Sequence, residues 1–369
     1  DLPRLSPAEA LEDYHKKGLI PPSGADVYSQ LKELLSNNLY DVQHINPKDP
    51  ILPPESDVML WMQPRRNSTP VIDLLSAHLQ QGKNSIVALQ HFNIQQRQYR
   101  GNGFQTVYWP QPQFQDFDRF SQLYGVEQVR EVLFDRTQSH LDLETQVNRT
   151  AVREYDAQQV ALPFLIRAVA PNYRRQSALT RHLGDLLFIW GNRFALDRQR
   201  LAEIGMEAQV LVSTSERSWA YAWSGGWLPP DVFSSSDYLQ GTQPLAVQLT
   251  GPFDRAIFSE DAEGRSQIEL GEKAQGAGQL LLVGSSEMFK NKYLYAAGFQ
   301  HDQFLLNAVA HMAYGEALAE LQARRPVSRG FAFQNPQAKS AWRAVSISLA
   351  PLLFALYGVV RLRRLRGGS

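Results

Sequence analysis

Apolar positions along the chain fall into short continuous runs that alternate with amphipathic stretches. Val27, Leu31, Leu34 and Leu35 recur at helical spacing, and Tyr40, Val42 and His44 then alternate as in a strand. "DVMLWM" (Asp57–Met62) is almost wholly apolar, as a strand covered on both faces would be. "STPVIDLLSAHLQQGKN" starts with Ser/Thr, carries Pro70 in its first turn and closes at Gly82, which predicts a helix. "SIVALQHF" predicts the next buried strand. Strand, helix and strand in this order form a βαβ unit and imply a doubly wound parallel sheet. Further on, "FDRFSQLYGVEQVREVLFD" predicts a helix, a turn at Gly125 and an extended segment. "DLLFIW", "EAQVLVSTS", "QPLAVQLTG" and "GQLLLVGSSEMF" all read as strands. "DQFLLNAVAHMAYGEAL" reads as a helix with Phe304, Leu305, Ala308, Val309 and Met312 on one face. The fold class expected is α/β, with a Rossmann-like or amidotransferase-like parallel sheet. Residues 1–330 form that domain, with a sub-boundary near 140–185 where the pattern is least regular.

One run stands apart. Between Arg343 and Arg361 lie seventeen uncharged residues, "AVSISLAPLLFALYGVV". As a helix they cover roughly 26 Å, near the thickness of a bilayer core. Trp342 suits the interface on one side, and Arg361, Arg363 and Arg364 mark the other. The expectation is a linker at 331–343, a transmembrane helix at 344–361 and a basic tail at 362–369. Arginine-rich ends stay in the cytoplasm, so the body is expected outside the inner membrane, in the periplasm of a Gram-negative bacterium. The alternative is a buried helix of a soluble core.

Composition narrows the function. The 369 residues carry 37 basic and 37 acidic side chains, so the formal net charge is zero. Nucleic-acid binding needs clustered positive charge, and the dense basic cluster here is the terminal one. The absence of cysteine excludes disulfides, thiolate nucleophiles and Cys-based zinc sites. Asp1 opens the sequence without an initiator Met or signal peptide, which leads us to expect a longer parent protein.

Candidate chemistry collects where the strands end. Ligands of open α/β sheets bind beyond the carboxyl ends of the strands. Four segments should meet there: Gln63–Arg66, Gln90–Asn93, Ser213–Ser218 and Gly284–Glu287. They offer Arg65, Arg66, Gln90, Asn93, Ser213, Ser215, Ser285, Ser286 and Glu287 to a polar ligand. "VGSSEMF" is not a G-x-S-x-G elbow, no P-loop is present, and His301 and His311 lack H-E-x-x-H spacing. "GNG" at Gly101–Gly103 reads as a turn. No catalytic residue, metal or cofactor is expected. In "SWAYAWSGGWLPPDVF" the alternation of Trp219, Tyr221 and Trp223 puts all three on one strand face, either as a platform for sugars, lipid or a partner, or as a core stripe.

The order of segments resembles a known family. "YSQLKELLSNNLYDVQHI", "DVMLWMQPRR", "QQGKNSIVAL", "LYGVEQVREVLFD", "VSTSERSWA", "QPLAVQLTG", "LLLVGSSEMFKNKYL" and "HDQFLLNAVAHMAYGEAL" follow one another as in the GldG-like, gliding-motility-type auxiliary components of ABC transporters. That family usually carries an Asp in the turn where this chain has Ser285 and Ser286 before Glu287. The resemblance implies a membrane-anchored, non-enzymatic periplasmic subunit that works with an ABC permease and a separate ATPase, with membrane lipid around its helix. The rival expectations are a periplasmic glycan-binding module and an anchored hydrolase that uses carboxylates.

Overall fold

A computed structural model describes residues 26–47, 49–65, 68–100, 104–138, 162–233, 240–260 and 266–315. All of them belong to one compact unit, Asp1–Arg324. The first helix, α1 (Ser29–Asn37), precedes β1 (Val58–Met62), α2 (Thr69–Gln80) and β2 (Asn84–Ala88). A hairpin follows, β3 (Phe92–Arg100) and β4 (Phe104–Pro112), then α3 (Phe117–Leu123), β5 (Val126–Gln128) and β6 (Val132–Asp135). Next come β7 (Leu165–Ala168), β8 (Leu186–Ile189), β9 (Phe194–Leu196), α4 (Arg198–Glu203), β10 (Glu207–Ser213) and β11 (Ser218–Tyr221). The described chain closes with β12 (Pro244–Pro252), the hairpin β13 (Ala256–Glu260) and β14 (Ser266–Leu270), β15 (Ala277–Val283) and α5 (His301–Tyr314).

Five strands build the central sheet in the order β1-β2-β15-β12-β10. β2 lies parallel to both neighbours, with Ile86 opposite Leu60 on one side and Leu281 on the other. α2 supplies the crossover between β1 and β2, as its Pro70 start and its Gly82 stop (φ +77°) predict. Its Val71, Ile72, Leu75 and Leu79 pack on Val87, Leu280 and Leu282. Successive strand residues point to opposite faces, so Ile86, Ala88, Leu281 and Val283 face the other way. There they meet Leu31, Leu34 and Leu35 of α1 and the α5 stripe of Phe304, Leu305, Ala308, Val309 and Met312. All four of Leu280, Leu281, Leu282 and Val283 are fully buried, each contributing about 1.5–3 kcal/mol of transfer free energy.

The sheet is not wholly parallel, which corrects the sequence expectation. β12 runs antiparallel to both β15 and β10. The reason lies in the connection: between β12 and β15 stands the β13–β14 hairpin, not a helix. A parallel return needs a crossover along a face of the sheet. The hairpin stays at one end, so the chain re-enters in the opposite direction. A second correction concerns residues 40–46, which form no strand ladder. Tyr40 and Val42 still pack on one face and Ile45 on the other, with the sidedness of an extended chain.

Beside the sheet, a smaller core joins β6–β11 and β7–β8 through Phe134, Phe164, Leu187, Trp219 and Val232. Among the described residues no helix is long and apolar enough to cross a membrane. The expected span at 344–361, with Trp342, Arg361, Arg363 and Arg364, lies outside the described residues.

Candidate functional site

The carboxyl ends of β1, β2 and β15 converge, and their polar side chains form a closed network. Gln90, at the end of β2, organises it. Its Oε1 accepts from Ser286 Oγ at 3.2 Å and from the Glu287 backbone N–H at 3.0 Å. Its Nε2 donates to the Phe92 carbonyl at 3.1 Å and to Asn93 Oδ1. Beyond β1, Gln63 adopts the left-handed conformation (φ 56°) and is almost fully buried. It accepts from the Tyr28 hydroxyl at 3.4 Å and donates to Gln113 Oε1 at 3.4 Å, which Arg65 also reaches at 2.9 Å. Glu287, 7% exposed, pairs with Lys290 Nζ at 2.5 Å. Burial raises the Tyr28 hydroxyl pKa, and the Glu287 charge adds to the rise.

Both serines of the β15 turn are spent on structure. Ser285 Oγ donates to the Ile189 carbonyl at 2.8 Å, and Ser286 donates to an amide. Neither hydroxyl donates to a base, so neither is activated as a nucleophile needs to be. Gly284 explains the tightness of this turn. A Cβ there would stand 2.1 Å from the Asn192 carbonyl oxygen. Asn192 in turn ties β15 to β2, donating from its backbone to Gly284 O at 2.7 Å and accepting from His91 N at 2.9 Å.

The fourth expected segment is not part of this network. β10 lies two strands from β15, roughly 10 Å away. Its loop turns instead to Asp135, a carboxylate with no solvent exposure. Asp135 accepts from Ser215 N at 2.7 Å, Ser215 Oγ at 2.6 Å and Thr137 N at 2.7 Å. Ser213 Oγ reaches the Asn172 carbonyl at 3.4 Å. Glu216 and Arg217 are exposed. Arg66 lies outside the described residues.

Trp219 is a core residue. It is 2% exposed, stacks on Phe134 at 5.5 Å and donates Nε1 to the Val232 carbonyl at 2.8 Å. β11 ends at Tyr221, yet Trp223 just beyond it packs on the same core as Trp219 and Tyr221. Trp223 is half-buried, edge-on to Phe92 at 5.5 Å, with its Nε1 donating to Gly226 O at 3.0 Å. Trp219, Tyr221 and Trp223 all pack in the smaller core, so of the two alternatives read from the sequence it is the core stripe that forms, not the exposed platform.

Three histidines are held neutral. Burial lowers His78, His91 and His301 to about 4. His91 Nε2 bonds the Gln128 carbonyl at 2.9 Å, and burial raises neighbouring Asp118, 3.7 Å away, to about 7. Among the described residues no three His, Asp or Glu side chains stand together as a metal site.

Tyr28, Gln113, Asp135 and Asn192 were not legible from sequence. Each acts through partners far along the chain, as Asp135 does with Ser215.

A family model described as "ABC-type uncharacterized transport system" matches residues 11–308. The chain belongs to this ABC-transport auxiliary family. The match takes in the strand-end network and nearly all the described fold of the auxiliary protein. No curated protein matches it. Among solved structures it is similar to one titled "mmIFT52 N-terminal domain", at 13% identity and a TM-score of 0.39, over 79% of this chain and 91% of that one.

Proposed function

We propose that this auxiliary protein is a non-enzymatic subunit of an ABC-type transport complex, of the GldG-like kind. It is held in the inner membrane of a Gram-negative bacterium by the 344–361 helix, with its α/β body in the periplasm. It pairs with an ABC permease and a separate ATPase that hydrolyses the nucleotide. The observation that carries the reading is the family match over residues 11–308. The site geometry supports it. The hydroxyls and amides at the strand ends bond one another, and Glu287 is ion-paired with Lys290. Such an end is built to hold a shape rather than to turn over a substrate. The burial of Trp219 takes away the main support for a glycan platform.

The test is isolation of the full chain from native membranes in mild detergent. A permease and an ATPase are expected in stoichiometric yield, and a reporter after Ser369 is expected in the cytoplasm. Recovery of the chain alone would sink the proposal.

A further inference from the structure

Leu39 is the most conspicuous apolar residue on the described surface. It is 94% exposed. It also stands in the left-handed region, at φ 66°. The local reason is a helix C-cap: Leu39 N–H bonds Ser36 O at 3.1 Å, and Tyr40 N–H bonds Leu35 O at 3.1 Å. This pair of bonds is the Schellman motif, and its left-handed position is ordinarily glycine. Leucine is doubly unfavourable there, since its Cβ strains the backbone and its side chain is left in water. Residues held in such conformations concentrate where they serve a function.

The surroundings say at which end of the sheet Leu39 lies. Tyr40 stacks on Tyr314, the last residue of α5, at 6.2 Å. Met312 O accepts from Asn84 Nδ2 at 2.6 Å, and Asn84 opens β2. Leu39, Tyr40 and the half-exposed Tyr314 therefore lie at the amino ends of the parallel strands, opposite the polar network. From this end the sequence runs on to the apolar segment 344–361. Two residues beyond the leucine is Asp41, exposed and bonded by Gln43 at 3.3 Å. A carboxylate there is penalised against lipid but suits the polar rim of a protein interface. A bilayer, moreover, rewards apolar area and does not require one side chain in a fixed, strained pose.

We propose that Leu39, flanked by the Tyr40–Tyr314 pair, is a knob that seats in an apolar socket on a membrane-embedded protein subunit of the transport system. The inference rests on the auxiliary-subunit reading and names the surface through which it acts. The experiment places the photo-cross-linking residue p-benzoylphenylalanine at position 39 of the full chain in native membranes. The same label at Tyr295, 54% exposed, serves as control. The expected result is a covalent adduct with a membrane subunit that co-purifies with the chain, from position 39 and not from position 295. Leu39→Gly, which relieves the backbone, is expected to stay folded and to lower recovery of that subunit at least fivefold. An adduct to lipid alone, to a second copy of this chain, or to nothing overturns the knob. If the permease still co-purifies in that case, the auxiliary-subunit reading stands without it. Unchanged recovery with Leu39→Gly overturns the knob as well.

Discussion

Leu39 also makes a prediction about the folded domain by itself. A left-handed leucine costs about 1–2 kcal/mol relative to its relaxed backbone, part of which glycine returns through the entropy of the unfolded chain. Leu39→Gly should therefore stabilise the domain by about 0.5–1 kcal/mol, or roughly 1–4 °C in thermal midpoint. Urea and thermal melts of the two proteins check this, and a lower midpoint for the variant would mean that Leu39 supports the fold instead. Other residues show why sequence patterns stop where they do. The alternation of Trp219, Tyr221 and Trp223 keeps all three on one core, although β11 itself ends at Tyr221, where its pairing with Val132 ends. Strand length here is set by a partner far away in the chain, which local periodicity cannot reveal. The Asp135–Ser215 contact is equally remote, and nothing around either residue announces it.

Elements were legible wherever one face or both are buried without interruption. α2 and α5 show their apolar stripes at helical spacing, and β2 and β15 show continuous apolar runs. The direction of β12 was hidden, because its apolar content is the same either way. What decides direction is the β13–β14 hairpin, whose polar, weakly patterned residues predict little. All four strand-end segments were expected to meet; those of β1, β2 and β15 do, whereas that of β10 stays apart, because β12 stands between it and β15. At the joint of these elements, Gly284→Ala is the sharp test. Its Cβ would meet backbone, the Asn192 carbonyl at 2.1 Å and the Leu245 carbonyl at 3.0 Å, and neither can swing aside as a side chain can. The substitution should cost about 3 kcal/mol, at the upper end for overpacking. It should also loosen the His91–Asn192 bond, so that the His91 amide exchanges faster with deuterium. A denaturation midpoint within error of the parent would show that the β15 turn is more adaptable than its geometry implies.

For the whole molecule, the buried titratable groups set how stability follows pH. His78, His91 and His301 sit near 4 in the fold, against about 6.5 in an unfolded chain. Between these values the unfolded chain binds three protons that the fold refuses, which makes stability rise with pH. Asp118 opposes them, since its folded value of about 7 lies above the unfolded carboxylate range. The fold keeps that proton while the unfolded chain loses it, so its contribution falls as pH rises through the same window. Among these four groups, three uptakes against one release leave a net uptake of about two protons on unfolding, an upper limit because burial raises Asp302 as well. At about 1.4 kcal/mol per pH unit for each proton, stability should climb by at most about 2.7 kcal/mol per unit between pH 4 and 6.5. Of these four groups only Asp118 still titrates above that window, and the curve should flatten and dip slightly towards pH 7. His78→Gln keeps a donor for the Asn84 carbonyl, which His78 Nε2 meets at 3.1 Å, and removes one of the three uptakes. Its slope should be shallower by about 1.4 kcal/mol per unit. Urea midpoints from pH 4.5 to 7.5 for both proteins measure this directly. A parent curve that is flat across the window, or one that falls with rising pH, would show that the three histidines do not remain neutral inside the fold.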